Sequence, residues 1–361
     1  MQMVEKHEVN VLGPSAANLS AEGKRTPKQV TLLGIKLLAV LLVIAAPALI
    51  ASQFISGLTG VAFFGVLAAL FGWQSGGARV GLLVTASLAA LGAISIVLSD
   101  FTVVLALLLL SLGVLYGFAA GRGYGGAVLQ LPILTPYFMM DAPALFTDPP
   151  VIDAKYLVGV MVIMLFTGGW TILVLQLAMP KHKAKPRIVT EDARMPLLYG
   201  TILGVISAAV MILGTSTDLK SHWVWVTLTL YVLAAPTQLF TKAKMAGRTL
   251  GSLAGFLLVS VLVLTGLPDP VLQALAFPAL WLCVLLMVLK KPYWEYTFLL
   301  TVTVVLMNSH GVNTLLLDAE RLGFTVLGAM LSMFAAFLVN LFFFRRRGIT
   351  VPSQADVFSQ A

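Results

Sequence analysis

The feature that most constrains this chain is a succession of long apolar runs separated by short polar breaks. Each run approaches the ~20 residues that an α-helix needs to cross the hydrocarbon core of a bilayer. Helices satisfy their own backbone polar groups in lipid, whereas open sheets do not. The runs therefore predict an all-α, polytopic membrane protein with about twelve transmembrane helices. Their approximate bounds are 30–51, 55–72, 79–98, 101–120, 123–140, 155–179, 196–215, 222–240, 246–266, 270–289, 293–309 and 321–344.

The composition places the chain in a lipid bilayer and away from nucleic acid. Hydrophobic residues make up 59% of the sequence and charged residues only 11%, whereas a soluble domain is roughly a quarter charged. The formal net charge of +8 comes from short basic clusters between the apolar runs, a placement that sets membrane orientation. We therefore expect the bilayer to surround the chain and expect no nucleic-acid partner.

The basic clusters also predict how the chain is oriented. With the N-terminus in the cytoplasm, nearly all lysines and arginines outside the apolar runs fall on the inner side, as the positive-inside rule requires. The largest cluster lies in a linker, 181–195, between the sixth and seventh runs. We expect 1–29 to be a disordered cytoplasmic tail and 346–361 to be a second cytoplasmic tail. This arrangement predicts a multi-pass protein of the inner (cytoplasmic) membrane.

The two halves of the chain resemble each other in their charged and turn-forming residues. A forward shift of the first half by 169 positions superimposes Arg79 on Arg248, Asp100 on Asp269, Arg122 on Lys291, and Tyr124 on Tyr293. Because each half contains six runs, the two copies share one orientation and are related by an axis along the membrane normal. We therefore predict a pseudo-dimer of two parallel six-helix repeats, 30–180 and 196–345.

A short segment of small residues at the start of the ninth run carries a single arginine, Arg248. Gly247, Gly251 and Gly255 recur every four residues, so on a helix they form one smooth face that another helix can approach closely. We predict that this face packs against a neighbouring helix. Arg248 lies where the helix is predicted to begin, a place that favours a bound anion or lipid phosphate.

The motif Arg248-x-x-Gly251-Ser252-x-x-Gly255 resembles the Arg-x-x-Gly-Thr-x-x-Gly signature of the fusaric acid resistance protein-like (FUSC) superfamily. This superfamily includes the aromatic acid exporters and is related to plant aluminium-activated malate transporters. The resemblance covers 215–345 well and the first half only as a degenerate copy. It implies a secondary transporter that uses the proton gradient to export organic or aromatic acids, working with a periplasmic adaptor (membrane fusion) protein.

Five residues are predicted to contact a small organic anion as substrate. Arg248 and Arg321 lie at the predicted starts of the ninth and twelfth helices, and Arg79 is the first-half counterpart of Arg248. Tyr293 and Asn308 lie at the two ends of the eleventh run. The alternative for each arginine is a snorkelling anchor to lipid phosphate, and the sequence leaves both interpretations open.

Glu295 and His310 are the predicted proton-coupling residues. Glu295 lies near the start of the eleventh run beside aromatic residues, where a partly desolvated carboxylate can exchange protons near neutral pH. His310 follows the same run, and histidine changes charge near neutral pH. The alternatives are a salt bridge from Glu295 to Lys290 or Lys291 and ordinary loop polarity for His310.

The sequence lacks the groupings that covalent chemistry requires. One cysteine, Cys283, and four separated histidines make no disulfide framework or metal site, and there is no phosphate-binding loop or nucleophile elbow. We therefore expect no cofactor, no metal and no enzymatic activity.

Two other functions stay open at this point. One is an anion channel, which the kinship with malate transporters permits. The other is a non-transporting membrane component that organises an envelope assembly. A homo-oligomer is compatible with all three functions.

Overall fold

The computed structural model of the protein describes residues 26–140, 142–147, 149–180, 194–217, 223–234, 242–289, 291–307, 314–339 and 341–342. Most of the predicted tails and linker lies outside these residues. Thirteen α-helices lie within them and are numbered in chain order. They are α1 (Pro27–Ala51), α2 (Leu58–Gly76), α3 (Ala78–Val97), α4 (Thr102–Gly121), α5 (Gly125–Val128), α6 (Gln130–Met140), α7 (Ala154–Ala178), α8 (Arg194–Thr215), α9 (Val224–Leu233), α10 (Lys242–Leu264), α11 (Asp269–Val288), α12 (Tyr293–Met307) and α13 (Thr314–Val339).

Local sequence signals explain where several helices begin. Thr26 and Gln29 form a capping box at the start of α1. The Thr26 backbone N–H donates to Gln29 Oε1 at 2.9 Å, and the Gln29 backbone N–H donates to Thr26 Oγ1 at 3.4 Å. Asp153 caps α7 by accepting from the Tyr156 backbone N–H at 2.7 Å. Gly77 separates α2 from α3 at φ 81°, a conformation that glycine adopts without strain.

Several of the helices are suited to a lipid environment. Within the described residues, those long and apolar enough to cross a bilayer are α1, α2, α3, α4, α7, α8 and α11. Shorter apolar helices lie within α9, α10, α12 and α13. The prediction of an all-helical protein with several membrane-spanning helices is therefore confirmed for this part of the chain. The count of twelve spans stays a prediction.

The helices of the first half pack around α2 and α7. α2 contacts α3 and α7, α3 also contacts α6 and α7, and α4 contacts α5 and α6. Gly65 of α2 lies against the backbone of Met164 in α7, and the Thr167 hydroxyl, which is 2.8 Å from the Ile163 carbonyl of its own helix, also lies 3.2 Å from the Ala62 carbonyl of α2. A side chain at Gly65 would overlap α7, so small residues set the separation of these helices.

The segment between α6 and α7 is hydrogen-bonded to the connection between α1 and α2 and to the first turn of α7. The Phe146 backbone N–H donates to the Ser56 carbonyl at 3.1 Å. The Tyr156 hydroxyl, in the first turn of α7, donates to the Pro143 carbonyl at 2.7 Å. Tyr156 is only 1% exposed, so its buried hydroxyl is satisfied within the protein, as a buried donor requires.

The helices of the second half divide between two buried clusters. α9 contacts α8 and α13, α10 contacts α12 and α13, and α11 contacts α12. The main hydrophobic core extends from the first half into α8, α9 and α13. A smaller cluster shared by α10, α11 and α12 is separate from it. Its members are Val259, Leu272, Ala276, Ala279, Val302, Val305 and Leu306.

Helix pairs from opposite halves join the two parts. α4 and α8 meet backbone to backbone, since a Cβ added at Gly113 would overlap the backbone of Gly204. α1 and α11 meet through a larger side chain, Trp281, whose indole N–H donates to the Gly34 carbonyl at 2.9 Å. α6 also contacts α9. Small residues therefore allow a closer approach at α4–α8 than at α1–α11.

Candidate functional site

The three glycines of the arginine motif lie on the face of α10 that packs against α12. A Cβ added at Gly251 would lie 2.6 Å from the Trp294 carbonyl oxygen, and one added at Gly255 would lie 2.8 Å from the Thr301 Cβ. Gly247 has more room, with its nearest neighbour, Tyr293 Cδ1, at 3.3 Å. The spacing of four residues thus keeps the two helix backbones close along this face.

The structure places two of the predicted arginines further inside their helices than the sequence suggested. α10 begins at Lys242 and α13 at Thr314, so Arg248 and Arg321 lie about two turns beyond the helix starts. The prediction that both arginines lie at helix starts is therefore corrected, and the unpaired backbone N–H groups, which belong to the first turn of a helix, precede them. Arg79 is the second residue of α3, and its side chain is exposed.

Tyr293 and Glu295 lie together in the first turn of α12. Both side chains are partly exposed, and the Tyr293 and Tyr296 rings have centroids 6.0 Å apart. Tyr293 also lies beside Gly247, the residue before Arg248. The structure therefore brings the start of α12 next to the arginine motif of α10.

Two other predicted residues, Asn308 and His310, lie outside the described part of the chain. The described residues contain no group of three or more His, Cys, Asp or Glu side chains placed to hold a metal ion.

A second set of polar residues, which the sequence did not single out, lies deep in the helical core. Buried hydroxyls without a hydrogen-bond partner occur on α3, α6, α9, α10 and α13. Two of them, on Thr227 and Thr229, belong to the ten residues of α9, and a further buried hydroxyl of this helix, on Tyr231, hydrogen-bonds with Ser207 of α8. Among the described residues, the buried polar side chains are all uncharged Ser, Thr, Gln or Tyr. α9 is therefore the helix in which unsatisfied donors are most concentrated.

Tyr231 sits where three helices meet. Its ring makes an edge-to-face contact with Tyr116 of α4, with centroids 5.7 Å apart. Tyr199 of α8 is also close enough to influence Tyr116 electrostatically, and Ser207 of α8 is the polar neighbour of the Tyr231 hydroxyl. We name Tyr116, Tyr199, Ser207, Thr227 and Tyr231 the hydroxyl cluster. Each of its side chains is at most 5% exposed.

A weak signal in the sequence could have pointed to the hydroxyl cluster. Tyr116 and Tyr231 interrupt long apolar runs, and polar groups kept within a membrane span usually face protein or water. The spacing of Thr227 and Tyr231 puts them on one face of a helix. Nothing in the sequence shows that α4, α8 and α9 converge, so the cluster as a whole required the structure.

One comparison with known proteins finds a similarity, and it lies in the second half of the chain. Residues 205–335 match the family model described as fusaric acid resistance protein-like. The matched segment runs from the middle of α8 into α13 and includes both the glycine face and Tyr231. No curated protein and no solved structure matches the chain.

Proposed function

Because residues 205–335 match the fusaric acid resistance protein-like family model, we propose that the protein is a secondary transporter of the cytoplasmic membrane. The single observation that carries this proposal is that match, found in a helical chain with several membrane-spanning helices. Together they indicate a membrane transporter-type protein. The finer proposal is that it exports organic or aromatic acids and related toxic compounds, driven by the proton gradient.

The proposal includes two parallel six-helix repeats, and the packing of the helices supports them. The pairs α3–α6, α2–α7 and α1–α7 of the first half have the counterparts α10–α12, α9–α13 and α8–α13 in the second. The pairs that join the halves, α4–α8 and α11–α1, are also counterparts. Parallel repeats place the transport path between them, near the middle of the membrane.

The register of these pairs agrees with the duplication. In the first half, Gly92 of α3 lies against Phe138 of α6; in the second, Gly255 of α10 lies against Thr301 of α12. Both contacts join residues 46 positions apart. Two independent helix pairs would rarely share both their order and their register, so the agreement favours a common ancestor for the halves.

In this proposal Arg79, Arg248 and Arg321 attract the substrate anion to the ends of the path. A cation near the membrane surface raises the local concentration of anions. Glu295 and His310 carry the coupled protons, and Tyr293 and Asn308 contact the substrate. The glycine face of α10 lets this helix slide along α12 during transport, because small residues leave few interlocking side chains.

Flux of an aromatic acid in reconstituted liposomes tests the proposed function. We expect labelled benzoate to move faster in protein-containing liposomes than in protein-free ones, and faster still under an imposed pH gradient. Glu295→Gln should remove the response to the pH gradient because the amide cannot bind a proton. Asp100→Asn, an exposed turn residue, serves as the matched control. Flux equal to that of protein-free liposomes for a panel of organic acids would refute the transporter.

The same liposomes distinguish the two alternatives. An anion channel would give electrical currents far larger than a cycling carrier delivers, with no dependence on Glu295. A non-transporting membrane component would give no flux and would purify with a partner protein. A periplasmic adaptor that purifies with the chain would favour efflux, and size analysis in detergent would reveal a homo-oligomer.

A further inference from the structure

The two contacts between the halves of the chain should resemble each other if the halves are copies. By the shift of 169 positions, α4 corresponds to α11 and α1 corresponds to α8, so the α4–α8 and α1–α11 contacts are counterparts. We call these contacts the α4–α8 seam and the α1–α11 seam. Parallel repeats related by an axis along the membrane normal predict two equal seams. In the structure, the two seams differ.

The α4–α8 seam is lined by glycine, whereas the α1–α11 seam is not. The buried glycines of the α4–α8 seam are Gly113 and Gly117 of α4, and Gly200 and Gly204 of α8. By the same shift, the corresponding positions of the α1–α11 seam are occupied by Leu282, Leu286, Thr31 and Ile35. These larger side chains prevent the backbone contact that glycine permits.

The difference in residue size is accompanied by a difference in exposure. Gly113 and Gly204 are buried between α4 and α8, and a Cβ added at Gly204 would lie 2.7 Å from the Leu110 carbonyl oxygen. Their counterparts Leu282 and Ile35 are 39% and 58% exposed. The same positions are therefore interior in one seam and at the surface in the other.

Trp281 makes the contact across the α1–α11 seam. Its indole N–H donates to the Gly34 carbonyl at 2.9 Å, and its ring carbon Cζ2 would lie 3.4 Å from a Cβ at Gly34. Gly34 lies within α1, whose own hydrogen bonds also use this carbonyl. Separation of α1 from α11 would therefore leave the α1 backbone satisfied and break one neutral hydrogen bond.

The counterpart helices α4 and α11 also belong to different buried clusters. Leu105 and Leu109 of α4 lie in the main core together with Leu203 of α8. Leu272 and Ala276 of α11 lie in the smaller cluster shared with α10 and α12. α11 can therefore move away from α1 without opening the main core, whereas α4 cannot move away from α8 without doing so.

From these observations we propose that the two halves separate at the α1–α11 seam during transport while the α4–α8 seam stays packed. The hydrogen bond from Trp281 to Gly34 holds the α1–α11 seam together until it separates. This inference rests on the proposed function and deepens it, because it identifies the contact that moves. Rocking of two complete halves against each other would instead alter both seams.

Distances between spin labels test whether one seam is more mobile than the other. Ile35→Cys with Leu282→Cys provides label sites across the α1–α11 seam, and Leu115→Cys with Val205→Cys provides them across the α4–α8 seam. Leu115 and Val205 are 42% and 54% exposed, so they can accept a label, and Cys283→Ser removes the native thiol. In lipid nanodiscs, the full-length protein should give two distances at the α1–α11 seam and one at the α4–α8 seam.

Two tryptophan variants test the hydrogen bond across the α1–α11 seam. Trp281→Phe keeps an aromatic ring and removes the indole N–H, so it should shift the two populations towards the longer distance about two- to tenfold, the effect of one neutral hydrogen bond. Trp170→Phe is the matched control, because Trp170 of α7 donates to another carbonyl of α1, that of Val43, at 2.9 Å. It should leave the populations unchanged. A single distance at both seams, or equal effects of the two variants, would overturn the inference.

Reversible cross-linking relates the seams to transport. A short bifunctional methanethiosulfonate reagent, applied to the same two cysteine pairs in liposomes, should stop the flux of labelled benzoate when it joins α1 to α11. Reduction of the cross-link should restore the flux. The reagent should leave the flux unchanged when it joins α4 to α8. Flux that survives the α1–α11 cross-link would overturn the inference, and so would loss of flux from both cross-links.

The two measurements separate this inference from the proposed function. The label distances require no substrate, so they test the seams even in a protein that gives no benzoate flux. Two distances at the α1–α11 seam without any flux would support unequal seams and refute the transporter. Benzoate flux through a protein with two equally rigid seams would support the transporter and overturn the inference.

Discussion

At the scale of single residues, the packing of this protein depends on where glycine is required and where it is not. Gly168 and Gly169 are neighbours on α7, yet only the first faces another helix. A Cβ at Gly168 would overlap Thr85 of α3, whereas nothing lies within 4 Å of one at Gly169. The same substitution at adjacent positions therefore has opposite consequences.

We expect Gly168→Ala to destabilise the protein and Gly169→Ala to leave it unchanged or slightly stabilised. Overpacking at Gly168 should cost about 1–3 kcal/mol, more than the gain of up to ~1 kcal/mol that alanine brings to a helix. At Gly169 only that gain remains. Thermal denaturation in one detergent would measure both variants, and equal melting temperatures for the two would contradict the packing described for α3 and α7.

At the scale of helices, the contact between α4 and α8 is the clearest case of backbone packing. Gly204 faces α4, and a Cβ there would lie 2.7 Å from the Leu110 carbonyl oxygen. Val205, the next residue along α8, is 54% exposed. One face of α8 therefore requires a small residue, whereas the adjoining face accepts a large apolar one.

We expect Gly204→Leu to push α4 and α8 apart and to reduce stability by at least about 1–3 kcal/mol, the usual cost of overpacking. Val205→Leu adds a single methylene on the exposed side and should have little effect. Denaturation of both variants in detergent, together with their elution volume, would show whether the helix pair has separated. A Gly204→Leu protein as stable as wild type would contradict the interface.

The helices themselves were largely predictable from the sequence, because a membrane span is a local property of composition and length. The starts of α10 and α13 were not. Lys242 and Thr314 lie in polar segments before the apolar runs, and a helix can extend beyond the bilayer without changing its hydrophobic pattern. That extension is why Arg248 and Arg321 lie inside helices instead of at their starts.

The hydroxyl cluster illustrates the limit of such prediction. Thr227 and Tyr231 share a helix face by their spacing alone, and each could have been noted as a polar residue in an apolar run. Their meeting with Tyr116 and Ser207 depends on which helices are neighbours. Helix neighbours are set by side-chain packing across the whole bundle, and no local pattern in the sequence reports it.

At the scale of the whole molecule, the proposed duplication makes a testable statement about orientation. Arg122, after α4, corresponds to Lys291, before α12, by the shift of 169 positions. Parallel repeats put both on one side of the membrane, with Lys155 at the start of α7 on the other. The lone cysteine, Cys283, is 2% exposed, so a new cysteine would react above a low background.

We expect Arg122→Cys and Lys291→Cys to react with a membrane-impermeant thiol reagent from the same side, and Lys155→Cys to react only from the opposite side. Intact cells and inverted membrane vesicles would expose the two sides in turn. Wild-type protein, which retains only Cys283, is the control for background labelling. Labelling of positions 122 and 291 from opposite sides would exclude parallel repeats and with them the proposed pseudo-dimer.

The separate buried cluster of α10, α11 and α12 has a consequence for how heat disrupts the protein. All-or-none behaviour requires the buried contacts of a protein to be lost together. The two cores share no buried residue, so their buried contacts need not be lost together. One core can therefore unfold as a local cooperative unit while the other stays folded. A calorimetric trace could then contain two overlapping transitions, and a single midpoint would describe only the part of the bundle that the chosen probe observes.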